Sequence, residues 1–156
     1  RAAWLPTAIT TMKGEALPIT GTGEETRDFT FVEDLVDGLL RAGYFEEAVG
    51  EEFNLASGKE TRIIDLADMI NKETGNQAGI RKVPRRKWDT KKRLLASFDK
   101  ARALVGYEPK TSFSDGMKNT IAWFTEHWQL ISASVSFAPG ISSAVRNIDK
   151  NQEANR

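Results

Sequence analysis

The 156-residue sequence has no cysteine and one histidine, His127. Without cysteine it can build neither a disulfide framework nor a thiolate zinc site, and one histidine excludes any site that takes two from a single chain. No stretch approaches the ~18 uninterrupted apolar residues of a spanning helix, and the N-terminus lacks the basic and apolar regions of a signal peptide. No membrane partner is therefore expected, and the composition fits a reducing, cytoplasmic setting. Apolar residues at 40% and charged residues at 28% exclude a disordered tail. A chain of this length is one folding unit on the usual scale of ~100–200 residues and needs no metal to hold a core.

Net charge is also lacking, with 22 basic and 22 acidic residues, but it is unevenly spread. Residues 81–93 hold eight basic side chains, Arg85, Arg86 and Arg93 among them, against one acid, Asp89. That segment carries +7 and leaves −7 to the rest of a neutral chain. A protein that gathers its positive charge this way is suited to an anionic partner.

Periodicity predicts short strands alternating with helices. Residues 5–13 read as a helix ended by Gly14, and residues 16–20 as an extended run that Pro18 restricts to an edge or loop position. A glycine turn over residues 21–25 leads to a strand over 27–31, with Phe29 and Phe31 on one face. Residues 32–41 follow as a helix with Leu35, Val36, Leu39 and Leu40 as its apolar stripe and Gly43 as terminator. A second unit repeats the order: a strand over 52–56, a turn at Ser57-Gly58, and a helix to about Lys72 capped by Thr61 and closed by Gly75. Its inner face is Ile63, Leu66, Ala67 and Ile70. Residues 80–83 read as a strand and 98–105 as a helix stopped by Gly106. Ser112 and Asp115 have capping-box spacing for a helix through Trp128. These are about five helices and several short strands, an α/β pattern. Residues 1–130 form its body, and 131–156 a C-terminal extension expected to be partly mobile.

Three features can carry chemistry. In Gly21-Thr22-Gly23-Glu24-Glu25-Thr26-Arg27-Asp28 a glycine turn delivers Arg27 onto a strand start. A guanidinium there can grip a phosphate through two parallel hydrogen bonds, with Asp28 holding it in place. A surface Arg–Asp pair is the plainer reading. In Pro84-Arg85-Arg86-Lys87-Trp88-Asp89 several cations surround a carboxylate that can accept from a sugar hydroxyl, the plainer reading being a solvated charge run. Clustered Lys and Arg with an aromatic residue also mark nucleic-acid binding, so an RNA- or protein-binding basic module through residues 81–93 is the alternative. The −7 of the surrounding chain disfavours an extended polyanion and favours a compact diphosphate, so no nucleic acid is expected. The third feature, the aromatic helix around Trp123, Phe124, His127 and Trp128, reads as core, with no catalytic role for His127.

Four stretches in order carry a resemblance: residues 14–23, Arg27-Asp28-Phe29-Thr30-Phe31-Val32-Glu33-Asp34-Leu35, Phe53-Asn54-Leu55-Ala56-Ser57-Gly58, and Leu104-Val105-Gly106-Tyr107-Glu108-Pro109. Over residues 5–128 the sequence resembles the C-terminal half of NAD-dependent nucleotide-sugar epimerases and dehydratases, the extended short-chain dehydrogenase/reductase group. The likeness is greatest to UDP-glucose 4-epimerase-like members, given Arg86 three residues before Asp89. The resemblance implies the substrate-binding part of an extended Rossmann-type enzyme and a nucleotide diphosphate sugar as ligand. It implies that Arg27 and Arg86 clamp the diphosphate, Asp89 bonds the ribose, the backbone of Leu17, Pro18, Ile19 and Thr20 lines the base pocket, and Arg93 contributes.

The sequence departs from that family in lacking a glycine-rich turn after a first strand and a Tyr-x-x-x-Lys pair; four residues beyond Tyr44 and Tyr107 stand Ala48 and Thr111. With no phenolate base, hydride transfer has no catalyst here. The resemblance therefore implies a catalytically incomplete C-terminal portion, the dinucleotide-binding half missing, with NAD bound by the intact enzyme and not by this chain alone. Self-association or binding of the missing half through Leu35, Leu39, Phe53 and Leu55 is expected.

Overall fold

Strand β1 (Leu17–Thr20) turns Leu17 and Ile19 inward, where both are buried. The computed structural model describes residues 10–85 and 90–134, in two units that meet in sequence between Ala122 and Trp123. Of the expected first helix, residues 10–12 are helical, and residues 5–9 lie outside the described residues.

β1 pairs in parallel with β4 (Ile80–Val83), Leu17 opposite Ile80 and Thr20 opposite Val83. The amides of Leu17 and Gly21 donate to Gly79 and Val83, so alternate residues of β1 bond β4. Pro18 falls between them, at a position whose missing N–H costs the ladder nothing, and among the described residues no strand pairs with the far edge of β1. Helix α2 (Ile63–Thr74) covers this pair: Leu66, Ala67 and Ile70 pack on Leu17 and Ile19. Burying Leu66 or Ile70 stabilises by roughly 1.5–3 kcal/mol each.

The second sheet centres on β2 (Thr26–Asp28), antiparallel to β3 (Glu60–Arg62) and parallel to β5 (Arg93–Leu94). β2 is shorter than the sequence suggests, because the chain must turn to enter α1 (Val32–Tyr44). Phe29 and Phe31 leave the sheet yet serve one neighbour, the start of α4 (Phe113–Glu126): the Phe29 ring lies tilted 5.5 Å from that of Phe113, and Phe31 lies against Gly116. Thr61 does not cap α2, since it sits inside β3, and the N-cap position is Arg62 with no side-chain cap bond. The first amides of α2 donate instead to the carbonyls of Glu25 and Gly23 in the preceding turn, so the helix start is satisfied by tertiary structure. Gly75 closes α2 as expected, at φ +66°.

Residues 52–56 form no strand, because among the described residues no strand runs beside them to share a ladder. Phe53 and Leu55 pack instead on a second core of Ala101, Val105 and Tyr107, built around α3 (Asp99–Val105) and ended by Gly106 at φ +64°. α1 runs through Gly43 to Tyr44 rather than stopping at Arg41. It meets this core at Gly38, where a Cβ would stand 2.6 Å from Leu55 and 2.9 Å from the Tyr107 ring. Only hydrogen fits there.

Ser112 opens α4 as expected, accepting from the Asp115 amide at 3.1 Å and donating to its carboxylate at 2.6 Å. In the second unit the helix does not run through Trp128: α4 ends at Glu126, and α5 (Trp128–Ser134) continues past the point where the sequence pattern fades. His127 lies between them, stacked on Trp123 at 4.5 Å, its Nδ1 2.8 Å from the Trp123 carbonyl. The remainder of the C-terminal extension, residues 135–156, lies outside the described residues. No described helix is long and apolar enough to cross a membrane.

Candidate functional site

The turn before β2 is built by two glycines at positive φ, Gly21 at +84° and Gly23 at +88°. Gly23 is needed on a second count, because a Cβ would press to 3.2 Å from Ile64 of α2. Inside the turn Glu25 is buried, its Oε2 accepting from the Gly23 amide at 3.0 Å and the Thr22 hydroxyl at 3.4 Å. Arg85 stands 3.9 Å from its Oε1. Burial pushes the Glu25 carboxyl up, but backbone amide bonds, Arg85 and Thr22 together outweigh it and hold the group below its ordinary value.

Arg27 reaches across β2 to the flank of the basic segment. Its Nη1 donates to the carbonyls of Thr26 (2.7 Å) and Lys92 (3.5 Å), and its Nη2 to that of Lys91 (3.2 Å). These bonds orient the guanidinium along the backbone of residues 91–92. The parallel pairing of β5 with β2 is the cause: it lays Arg93 opposite Thr26 and Leu94 opposite Arg27, 67 positions apart in sequence. The cations of residues 81–85 and 91–93 thereby flank one turn. Arg86 and Asp89 themselves lie outside the described residues.

Arg93 is engaged by Glu60, its Nε 2.7 Å and Nη2 2.7 Å from the carboxylate, which also accepts from the Thr26 hydroxyl at 2.6 Å. The Arg93 hydrogen bond, then Thr26, pull the Glu60 carboxyl down, and the same pair pulls the Arg93 guanidinium up. In β1 the Leu17 and Ile19 side chains belong to the core, and because the Leu17 and Gly21 amides point to β4, the backbone groups of Pro18 and Thr20 point away from it.

Two acids do work that the sequence did not disclose. Asp28 does not hold Arg27: its Oδ1 accepts from the Ser57 amide (3.0 Å) and hydroxyl (2.6 Å), and its Oδ2 from the Gly58 amide (2.9 Å). Asp34 is buried on α1 and accepts from the amides of Lys110 (3.1 Å) and Thr111 (3.0 Å). Each carboxylate ties a distant loop to the framework. Only their place in the Arg27–Leu35 stretch hinted at importance.

Of the two tyrosines, Tyr107 is wholly buried and donates to the Ala56 carbonyl at 3.2 Å. Burial, reinforced by Asp34, Asp28 and Asp37, pushes its phenol up, away from the phenolate a catalytic base requires. Tyr44 is 81% exposed on α1, in line with an uncovered apolar face that includes Val36, Leu39 at 58% and Leu40 at 69%. Leu35 is at the edge of this face, but Phe53 and Leu55 are not part of it. A surface hollow of about 380 Å³ on α2 and α4 is lined by Asp65, Asp68 and Glu73 against Lys72 and Lys118, too acidic to receive a phosphate.

An α/β framework thus sets the anchored Arg27 beside the flanks of the basic segment. Residues 4–120 match the family model described as GDP-mannose 4,6 dehydratase. The chain belongs to this family of NAD-dependent nucleotide-sugar epimerases and dehydratases. It is similar to an epimerase of Methanothermobacter thermautotrophicus, with 51% identity and a TM-score of 0.84 over 86% of this chain and 40% of that one. The Bordetella bronchiseptica enzyme WbmF, solved in complex with NAD+ and UDP, is 39% identical with a TM-score of 0.68 over 82% of this chain and 38% of that one. UDP-glucuronic acid decarboxylase 1 of Danio rerio is 31% identical over 73% of this chain and 27% of its own length. The chain thus spans two fifths or less of these relatives.

Proposed function

We propose that this chain is the nucleotide-sugar-binding portion of an NAD-dependent, UDP-sugar 4-epimerase-like enzyme, and that it supplies binding rather than chemistry. One observation carries the reading: in a chain of this family, the Arg27 guanidinium is braced on the carbonyls of Lys91 and Lys92, at the edge of the +7 segment. Arg27 and Arg86 clamp the diphosphate, and Asp89 bonds the ribose. The Pro18 and Thr20 backbone, beside the buried Leu17 and Ile19, offers amide and carbonyl groups to the base. Arg93, held by Glu60, keeps β5 in register and adds positive potential. Binding energy gathered at the nucleotide end orients the sugar for reaction elsewhere.

The intact enzyme would bind NAD, which would supply hydride-transfer chemistry at the sugar. Nothing among the described tyrosines fits that step: Tyr107 is locked in the core and Tyr44 has no lysine four residues on. The glycine-rich cofactor-binding part of the family's polypeptide is the fitting partner for the apolar face of α1, because relatives carry more than twice the length of this chain.

Calorimetric titration of the purified protein with UDP-glucose tests the reading. Binding is expected, with a loss of tenfold or more in Arg27→Ala, on the order of a charge-assisted bond. Binding to oligonucleotides with a steep salt dependence, indifferent to Arg27, would instead identify a basic RNA-binding module.

A further inference from the structure

Helical spacing sorts the residues of α1 onto two sides, Asp34, Gly38 and Arg41 on one and Val32, Val36, Leu39, Leu40 and Tyr44 on the other. The first side is taken. Asp34 accepts from the Lys110 and Thr111 amides, Gly38 meets Leu55 and Tyr107, and Arg41 donates to the Val105 carbonyl. The second side is open, Val32 being 60% and Val36 45% exposed, and Leu40 and Tyr44 more so. Val32, Val36, Leu40 and Tyr44 are four residues apart and form one ridge along the helix, with Leu39 beside it.

Area and shape say what can cover this face. Its side chains present on the order of 700 Å² together, more than the ~300–600 Å² of the largest apolar patch on a typical monomer. Two copies would bury about 1,400 Å², inside the ~1,200–2,000 Å² of a stable interface. A closed pair needs a surface that complements itself. On α1, Val36 stands three residues before Leu39 and Gly43 three after Leu40, and a Cβ at Gly43 would find nothing within 4 Å. A two-fold axis at Leu39 and Leu40 therefore lays two such helices antiparallel and seats each Val36 over the Gly43 of the other copy. Charge does not oppose the pairing. The chain is formally neutral, and Asp37 at the border of the face is matched by Arg41 at 2.7 Å.

We propose that the 156-residue chain forms a two-fold dimer through this face, two copies of α1 crossing antiparallel at Leu39 and Leu40. The inference goes beyond the nucleotide-sugar reading and does not need it. The same face is the one that suits the cofactor-binding part of the family's polypeptide, so the two occupants exclude each other, and the dimer is the state of the chain without that part.

Sedimentation equilibrium of the purified chain is expected to give twice the 17.4 kDa of one copy, with a dissociation constant of about 10 μM or below. Leu39→Glu with Leu40→Glu should weaken the dimer at least ~100-fold and sediment as a single chain, while its circular dichroism stays that of the folded protein. Because the chain has no cysteine, an introduced one reports only its own surroundings. A short bismaleimide should join two copies through Leu40→Cys and not through Lys118→Cys on α4. A wild type that is a single chain at every concentration overturns the proposal, as does a dimer that survives the paired Glu substitution. Cross-linking through Lys118→Cys in place of Leu40→Cys, or association without fixed stoichiometry, overturns it equally. UDP titration keeps the two readings apart: a single chain that binds UDP ends this inference alone, and a dimer that binds no nucleotide ends the proposed function alone.

Discussion

Replacing Asp34 by Asn removes one charge and changes almost no volume, which isolates what the carboxylate does. Its two oxygens each accept one amide, from Lys110 and Thr111, in a buried position on α1. Asparagine offers one acceptor oxygen and turns an NH2 toward the other amide, so one hydrogen bond is lost to a donor–donor contact and the other loses its charge assistance. Hydrogen bonds to charged groups are worth roughly 1.5–3 kcal/mol, so a total cost of about 2–4 kcal/mol is expected. At roughly 4 °C per kcal/mol for a unit of this size, Tm should fall by about 8–15 °C. Urea unfolding followed by far-UV circular dichroism should show the midpoint dropping at constant slope. Asp37→Asn on the same helix is the control. Its partner Arg41, at 2.7 Å, forms a partly exposed i,i+4 pair worth about 0.3–0.5 kcal/mol. An Asp34→Asn protein no less stable than Asp37→Asn would refute the reasoning that this acid anchors the 107–111 loop.

Gly38→Ala should destabilise by about 1–3 kcal/mol through overpacking against Leu55 and the Tyr107 ring, although the better helix former alone would add up to ~1 kcal/mol; the urea midpoint decides the sign. Glu25, Glu60 and Asp65 all have carboxyls held below their ordinary range in the fold, so the unfolded chain binds protons first as pH falls. The stability they contribute is present above about pH 4.5 and is lost below it, measurable as a falling midpoint from pH 5 downward. Tyr107 is shifted upward, so its contribution holds up to about pH 10 and declines above it, a limb that Tyr107→Phe should remove while costing about 1 kcal/mol for the lost bond to Ala56. Leu39→Glu with Leu40→Glu should leave the urea midpoint within about 0.5 kcal/mol, since both are exposed, yet shift the sedimentation coefficient of any associated species to that of the single chain.

Local signals were readable without coordinates wherever a residue's own chemistry decides the matter. Gly75 and Gly106 end their helices because only glycine takes that left-handed conformation without strain, and Ser112 with Asp115 closes its own cap. Alternation located β1 and β4, and the ordered motifs pointed to the family. The strand start at Arg27 was also legible, since the glycine turn before it ends where β2 begins.

Tertiary structure decided what depends on residues far apart in sequence. Asp28 stands next to Arg27 yet serves Ser57 and Gly58, and Asp34 serves Lys110 and Thr111, because a carboxylate goes to the amides that packing leaves unpaired. Residues 52–56 have a strand's pattern but no ladder, since a strand exists only where a neighbour offers its backbone. The two residues of β5 are too short for any periodicity to reveal, but their pairing with β2 is what carries the basic segment to Arg27. The stripe of α1 was expected to lack a partner in this chain, and Leu39 and Leu40 do stand in water, but Phe53 and Leu55, expected beside them, pack on the second core: periodicity says which residues are apolar, not which of them the same chain covers.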